Sequence, residues 1–374
     1  MIPVAKPQMT NDDAKAVADA VLSGWILQGP KVEAFEQKLA GFTGSKYCIA
    51  TSSCTTAMHL GFIASGIKPG DEILVPSFSY IASANSIVHA GGTPVFVDID
   101  ERTYNLDPSD VERKITKKTR GILAVHQIGL AADMPALAAI AKKYNLELFE
   151  DAACGLGATI SEKHIGNYGS WSAYSFHPRK AITTAEGGIL ATDDIHLAEM
   201  VQQLRAHGAS MDVSRRHTSK TILHESFPFI GYNFRMSDIH AALGLSQFER
   251  IEYLLAERKR IAQNYNEAFE GIDKIIRPFV PKDYSHTYQS YMIRITNGMR
   301  DHIMQQLLDH GIATRAGVMA SHLEPPYRKL YPNLSLPVTE KVAKEALILP
   351  SYAGMTMDDQ QTVIDRLKKS LAQV

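Results

Sequence analysis

The sequence predicts an α/β fold: a mostly parallel central sheet flanked by helices, followed by a smaller α+β region. Three observations predict it. Between residues 47 and 192, short apolar runs alternate with segments of helical periodicity. The polar residues with chemical potential in that region follow directly after apolar runs, where the carboxyl ends of parallel strands place ligands. Beyond residue 236 the rhythm changes to long helical patterns with few short strands. At 374 residues the chain fits a large α/β domain over 1–250, with an N-terminal helical segment, and a small α+β domain over 251–374.

The elements follow in order. Asn11-Asp12-Asp13 opens a helix over residues 11–22, with Ala14, Val17, Ala18, Val21 and Leu22 at helical spacing. Residues 24–30 form a loop, either facing a substrate or simply connecting helices around Trp25. An amphipathic helix over 32–42 comes next. Strands are expected at 47–50, 72–75, 94–97, 119–125, 146–149, 172–176 and 188–192, with helices at 55–64, 79–89 and 134–144 between them. One long helical stretch covers 236–269. A strand at 291–295 and helices at 300–310, 339–346 and 358–371 complete the chain.

Composition narrows the function classes. The chain is 45% hydrophobic and 21% charged, ordinary for a globular protein. Lys plus Arg is 39 against 40 Asp plus Glu, a formal net charge of −1, which offers no global attraction for nucleic acid or an anionic membrane. Any phosphate recognition is therefore local. Cys48, Cys54 and Cys154 form no CxxC pair and no zinc spacing, and three thiols cannot all pair within the chain; a reduced, cytoplasmic setting follows. The first seven residues carry no charged segment running into an apolar one, and no stretch reaches membrane-span length without charges, so neither signal peptide nor membrane is expected. The 14 histidines show no HExxH grouping, and no catalytic metal is expected.

Three places after strand runs carry the chemistry. In Ala50-Thr51-Ser52-Ser53-Cys54-Thr55-Thr56-Ala57 a strand enters a hydroxyl-rich turn and then a helix. Free N–H groups and hydroxyls at a helix start make an anion site, or the hydroxyls merely cap the helix. In Glu147-Leu148-Phe149-Glu150-Asp151 two carboxylates end a buried strand, to cap a helix, pair with a buried cation or bind a metal. In Tyr174-Ser175-Phe176-His177-Pro178-Arg179-Lys180 a lysine lies between two β runs. It is either a solvated charge or a desolvated amine able to form an imine. Together the three supply what pyridoxal phosphate (PLP) needs: an amine, a carboxylate for the pyridine nitrogen and a phosphate cradle. Tyr80, just past the run at 72–75, offers an aromatic face for the ring.

These motifs resemble the DegT/DnrJ/EryC1/StrS sugar aminotransferases, of PLP-dependent transferase fold type I (aspartate aminotransferase-like). The likeness runs from Gly24-Trp25 to about Pro350. It rests on Ser52-Ser53-Cys54-Thr55-Thr56-Ala57, Val75-Pro76-Ser77-Phe78, Glu150-Asp151-Ala152-Ala153, Ser175-Phe176-His177-Pro178-Arg179-Lys180, Glu186-Gly187-Gly188 and Gly231-Tyr232-Asn233-Phe234-Arg235-Met236. The resemblance implies an aminotransferase acting on a nucleotide-linked keto-sugar, with glutamate as amino donor. It also implies roles. Lys180 anchors PLP as a Schiff base and shuttles the proton, Asp151 pairs with the pyridine nitrogen, and Tyr80 stacks on the ring. Thr55, Ser175 and the backbone around Cys54, Thr55 and Thr56 hold the phosphate, and His177 lies among the cofactor-binding residues. Asn233 reaches the phosphate of the neighbouring subunit, which implies a homodimer with shared sites.

Two departures stand out. Cys154 occupies the position where relatives often place Gln or His beside the cofactor's 3-hydroxyl; it serves either as a weak contact there or as a small apolar filler. Cys54-Thr55 replaces a frequent Gly-Thr. The alternatives on the same fold are a PLP-dependent sugar dehydratase, a cyclitol aminotransferase and a non-catalytic PLP-binding regulator. Dehydratase relatives carry His in place of the lysine, and Lys180 argues against that version. Further residues have two readings each. His286, Tyr288 and Tyr291 face a sugar or fill the core. Arg315 and His322 bind nucleotide phosphates or pair at the surface. Arg235 more readily braces a dimer interface than touches substrate.

Overall fold

The computed structural model describes residues 1–210 and 224–373. In chain order its strands are β1 Tyr47–Thr51, β2 Glu72–Pro76, β3 Thr93–Val97, β4 Thr119–Val125, β5 Glu147–Asp151, β6 Thr159–Ile160, β7 Lys163–His164, β8 Trp171–Ser175 and β9 Gly188–Thr192. Beyond them come β10 Ile275–Ile276, β11 Tyr284–Ser285, β12 Tyr291–Ile295, β13 Arg315–Ala316 and β14 Ala346–Leu349. The main sheet has seven strands in the order β1-β9-β8-β5-β4-β2-β3. Its pairings are parallel except for β9, which runs antiparallel to both β1 and β8. A four-stranded sheet, β10-β12-β14-β13, and a short three-stranded one, β11-β6-β7, complete the architecture.

Side-chain alternation along each strand divides the core of the main sheet into two layers. Ala50, Leu74, Ile122 and Leu148 pack in one cluster; Ile49, Val75, Leu123 and Phe149 pack in the other. The four-stranded sheet has its own core of Tyr265, Tyr291, Ile293, Leu347 and Leu367.

Local chemistry fixes the helix ends. The helix Asn11–Leu22 is capped by Thr10, one residue before the expected Asx start, in a capping box with Asp13. The helix Pro30–Thr43 has no side-chain cap of its own. Buried Asp238, more than 200 residues away, accepts from the amides of Gly29, Lys31 and Val32 at 2.8–3.0 Å. Any Cβ on Gly29 would lie 1.6 Å from the Trp25 indole nitrogen, so glycine is required where that ring folds over the loop.

Three expected elements differ from those observed. The stretch 236–269 is two helices, Asp238–Phe248 and Ile251–Ala268. The break falls at Arg250, whose backbone leaves helical geometry while its guanidinium pairs with Asp13 at 2.8 Å. The helix expected over 79–89 begins only at Ala82, because Ser79 to Ile81 turn the chain after β2. The helix expected over 339–346 is Pro337–Glu345, and Ala346 opens β14 against Arg294. No helix among the described residues is long and apolar enough to cross a membrane.

Candidate active site

The site residues follow the carboxyl ends of β1, β2, β5 and β8, and antiparallel β9 begins at the same edge. Gly188, the first residue of β9, pairs with Thr51 on one side and Ser175 on the other. A Cβ there would meet the Cys54 amide nitrogen at 2.3 Å. A bare glycine thus lets the start of the helix Cys54–Ala64 sit down on the strand ends.

Ser53 caps that helix, and its Oγ accepts from the Thr56 amide at 3.2 Å. The Thr56 hydroxyl is used within the cap, bonding to Ser53 and Ser52. The amides of Cys54 and Thr55 and the Thr55 hydroxyl have no hydrogen-bond partner among the described residues. Unused donors at a helix N-terminus suit a phosphate. Thr56 therefore acts as a structural residue, whereas Thr55 faces outward with its donors free.

Lys180 is half-buried. Its Nζ lies 3.1 Å from the Cys154 Sγ, a contact with the amine itself that neither reading of Cys154 named. Burial pushes the ammonium pKa down, but Cys154, Cys54 and Asp151 outweigh that and leave it above its ordinary value. Burial holds the Cys54 thiol well above the thiol range, so it is neutral. The Lys180 turn is held from behind by Arg258, which is 4% exposed on the helix Ile251–Ala268. Its guanidinium donates to the carbonyls of Lys180 at 3.0 Å, Arg179 at 3.3 Å and Gln289 at 2.8 Å. It has no carboxylate partner among the described residues, and burial lowers its pKa to about 10. No local signal in the sequence links Arg258 to Lys180, because the two are 78 residues apart.

The two carboxylates that end β5 part company, as strand alternation requires. Asp151 accepts from the Ser83 hydroxyl at 2.7 Å and the Ala153 amide at 3.1 Å. Ser83 in turn bonds to Ser79 at 2.7 Å, so the turn bearing Tyr80 is tied to Asp151. The Ser79/Ser83 spacing after β2 was the signal available for this contact. Glu150 points the other way and is fully buried. It accepts from His126 Nε2 at 3.0 Å and from the amides of Gly166, Tyr168 and Gly169 at 2.6–2.8 Å. The Ala132 amide donates to His126 Nδ1, which leaves the proton on Nε2. Burial raises the Glu150 carboxyl, but His126 and the amides outweigh it and hold its pKa below the ordinary value.

The other residues singled out from sequence separate clearly. Tyr80 is 62% exposed. Ser175 Oγ accepts from the His177 amide at 3.4 Å, and His177 Nδ1 from the Arg179 amide at 3.3 Å. Asn233 is exposed, and its backbone bridges to Ala206. Next to it, the Phe234 carbonyl accepts from the Ser52 amide, so this segment borders the helix start. Arg235 is half-buried. His286 is buried and stacked 4.0 Å from Tyr288; burial lowers its pKa to about 3, so it stays neutral. Tyr291 is a core residue whose hydroxyl donates to Asn266. His322 is 1% exposed and cannot meet a nucleotide phosphate: Ser77 Oγ bonds to its Nδ1 at 2.6 Å, and Nε2 faces Glu340 at 3.4 Å. Among the described residues no group of three or more His, Cys, Asp or Glu is placed to hold a metal.

A lysine amine, a carboxylate and free helix-start donors gathered at the strand ends of such a sheet have the chemistry that a PLP site requires. Free donors at Cys54 and Thr55, and the lack of a side chain at Gly188, fit the phosphate. The chain belongs to the DegT/DnrJ/EryC1/StrS aminotransferase family, whose model matches residues 7–368. It is a PLP-dependent aminotransferase. It is 38% identical over 378 residues to GDP-perosamine synthase of Caulobacter vibrioides, covering 100% of this chain and 98% of that protein. Its structure matches that of PseC of Helicobacter pylori, an aminotransferase of pseudoaminic acid biosynthesis, with TM-score 0.93, 26% identity and both chains fully covered. A sugar aminotransferase of Streptococcus pneumoniae, described as putative and solved in its PMP-form, matches with TM-score 0.93 and 27% identity, again over 100% of both chains.

Proposed function

We propose that the enzyme moves an amino group from glutamate to the keto carbon of a nucleotide-linked deoxysugar, making an amino sugar in the cytoplasm. The convergence of Lys180, Asp151 and the free donors of Cys54 and Thr55 at one sheet edge carries the transamination. The likeness to GDP-perosamine synthase over the whole chain supports the sugar substrate.

PLP, when bound, supplies an aldehyde carbon that exchanges amino groups and a ring that withdraws electrons from the substrate carbon. The chain's own residues do the rest. Lys180 would hold the cofactor through Nζ, and the same amine would carry the proton to and from the substrate carbon. Because that amine is held protonated, it must lose a proton before it reacts, and Cys154 Sγ at 3.1 Å is its hydrogen-bond partner. Asp151, fixed by Ser83, keeps the ring nitrogen protonated. Tyr80 covers a ring face. Thr55, Ser175 and the helix-start amides take the phosphate, with His177 bracing Ser175. The division of labour would follow two domains, 1–250 and 251–374.

The test is a panel of nucleotide-linked keto-sugars assayed with glutamate, scored for 2-oxoglutarate and the new amine. Turnover of at least one keto-sugar is expected. Reaction of cyclitol ketones alone would favour the cyclitol reading, and loss of water without amine formation the dehydratase.

Asn233 serves the phosphate site of a neighbouring subunit on this reading, in a symmetric dimer. The apolar surface near it supports this: Ile230 is 94% exposed and Phe227 58%. Exposed apolar side chains grouped in this way suit an association surface. Sedimentation should give a homodimer, and dilution below its dissociation point should release PLP. A fully active monomer would refute the shared site.

A further inference from the structure

A cleft opens beside the Lys180 turn that none of the roles above uses. Arg179 and Arg315 line it together with Gln289, Ser351, Ile348 and Leu349. Neither arginine pairs with a carboxylate among the described residues. Ser351 is 2% exposed, and its Oγ is buried without a hydrogen-bond partner. Behind the cleft, Arg258 bonds to the carbonyls of Arg179 and Gln289, so two of its walls are fixed to the Lys180 turn by a third guanidinium that also lacks an acid. Two arginines without an acid partner among the described residues and a buried, orphaned hydroxyl along one cleft suit an anion. The aliphatic walls of Ile348 and Leu349 suit a short carbon chain rather than a nucleotide.

We infer that this cleft, built on Arg315, Arg179 and Ser351, binds a carboxylate of the dicarboxylic amino donor. The inference rests on the proposed use of glutamate and adds where that donor is recognised. A guanidinium meets a carboxylate bidentately, and the Ser351 hydroxyl supplies a neutral donor beside it. Arg315 is exposed, so replacing it leaves the fold intact.

The test uses glutarate, an unreactive dicarboxylate, titrated into the holoenzyme by calorimetry, with a nucleoside diphosphate titrated separately. Arg315→Gln is expected to weaken glutarate binding about ten- to a hundred-fold, the loss of a charged hydrogen-bonded pair. Ser351→Ala is expected to weaken it several-fold, and both should leave the nucleoside diphosphate unaffected. In turnover, the KM for glutamate should rise while that for the keto-sugar holds. Unchanged glutarate binding in Arg315→Gln, or weakened nucleoside diphosphate binding instead, would overturn the inference. An enzyme that aminates keto-sugars from glutamate with normal KM in Arg315→Gln refutes the cleft alone. An enzyme that takes no amino group from glutamate refutes the donor reading beneath it.

Discussion

Lys180→Ala is expected to abolish amino transfer, lowering turnover by at least roughly a thousand-fold. Acid–base catalysis by a positioned side chain contributes about 10²–10⁴-fold, and here the same nitrogen also anchors the cofactor. The wild-type protein should be yellow, and its visible band should fall on adding glutamate. The variant should bind PLP through the phosphate cradle and Asp151 but lack the band of the lysine-bound form. Its fold should persist, because the backbone of the turn is held by Arg258 through carbonyls that alanine retains. An added alkylamine should restore part of the activity, as the small base enters where Nζ lay. A variant with near-normal turnover would remove Lys180 from the chemistry, whatever its position.

Much of the main sheet was legible because its strands are buried on both faces and read as short apolar runs between helical patterns. The seven strands fall within a residue or two of those expected. The small sheet was legible only at β12. Its other members are two to four residues long, too short for any periodicity to emerge, and β14 begins where a helical pattern ends. Chain-local motifs placed Lys180, Asp151 and Thr55 at the strand ends. Long-range supports were invisible, because Arg258 reaches the Lys180 carbonyl across 78 residues and Asp238 reaches the Gly29 amide across 209, through contacts that only the folded chain creates. The hydroxyls of the Ser53 turn illustrate the ambiguity of a motif. The turn is a helix cap through Ser53 and Thr56, and it leaves the Thr55 hydroxyl free for the proposed phosphate. The aromatic and basic residues of the C-terminal third carried two readings each, and burial decides for the core at His286 and Tyr291. His322, read as a phosphate ligand or a surface pair, is neither exposed nor free: it is buried and bonded to Ser77.

The neighbouring carboxylates Glu150 and Asp151 should separate stability from activity when each is replaced. Asp151→Asn keeps the shape and one acceptor for the Ser83 hydroxyl and should fold normally. It removes the charge opposite the ring nitrogen. Loss of one partner from a buried hydrogen-bonded charge pair costs about 2–5 kcal/mol, so turnover should fall roughly 30- to several-thousand-fold. Near-normal turnover would return Asp151 to a capping role. Glu150→Ala should do the reverse. It strands the His126 N–H and the amides of Gly166, Tyr168 and Gly169 without this acceptor, a loss of about 3–5 kcal/mol in stability, with PLP still captured by whatever folds. The pH dependence follows from the direction of its shift. The folded pKa of Glu150 lies below its unfolded value, so its contribution is complete above the unfolded pKa and is lost as pH falls through the folded one. Urea unfolding from neutral pH downward should therefore show an acid-induced loss of stability in the wild type that is reduced in Glu150→Ala. Equal acid sensitivity in the two proteins would show that Glu150 is not the group whose protonation unlocks the His126 layer.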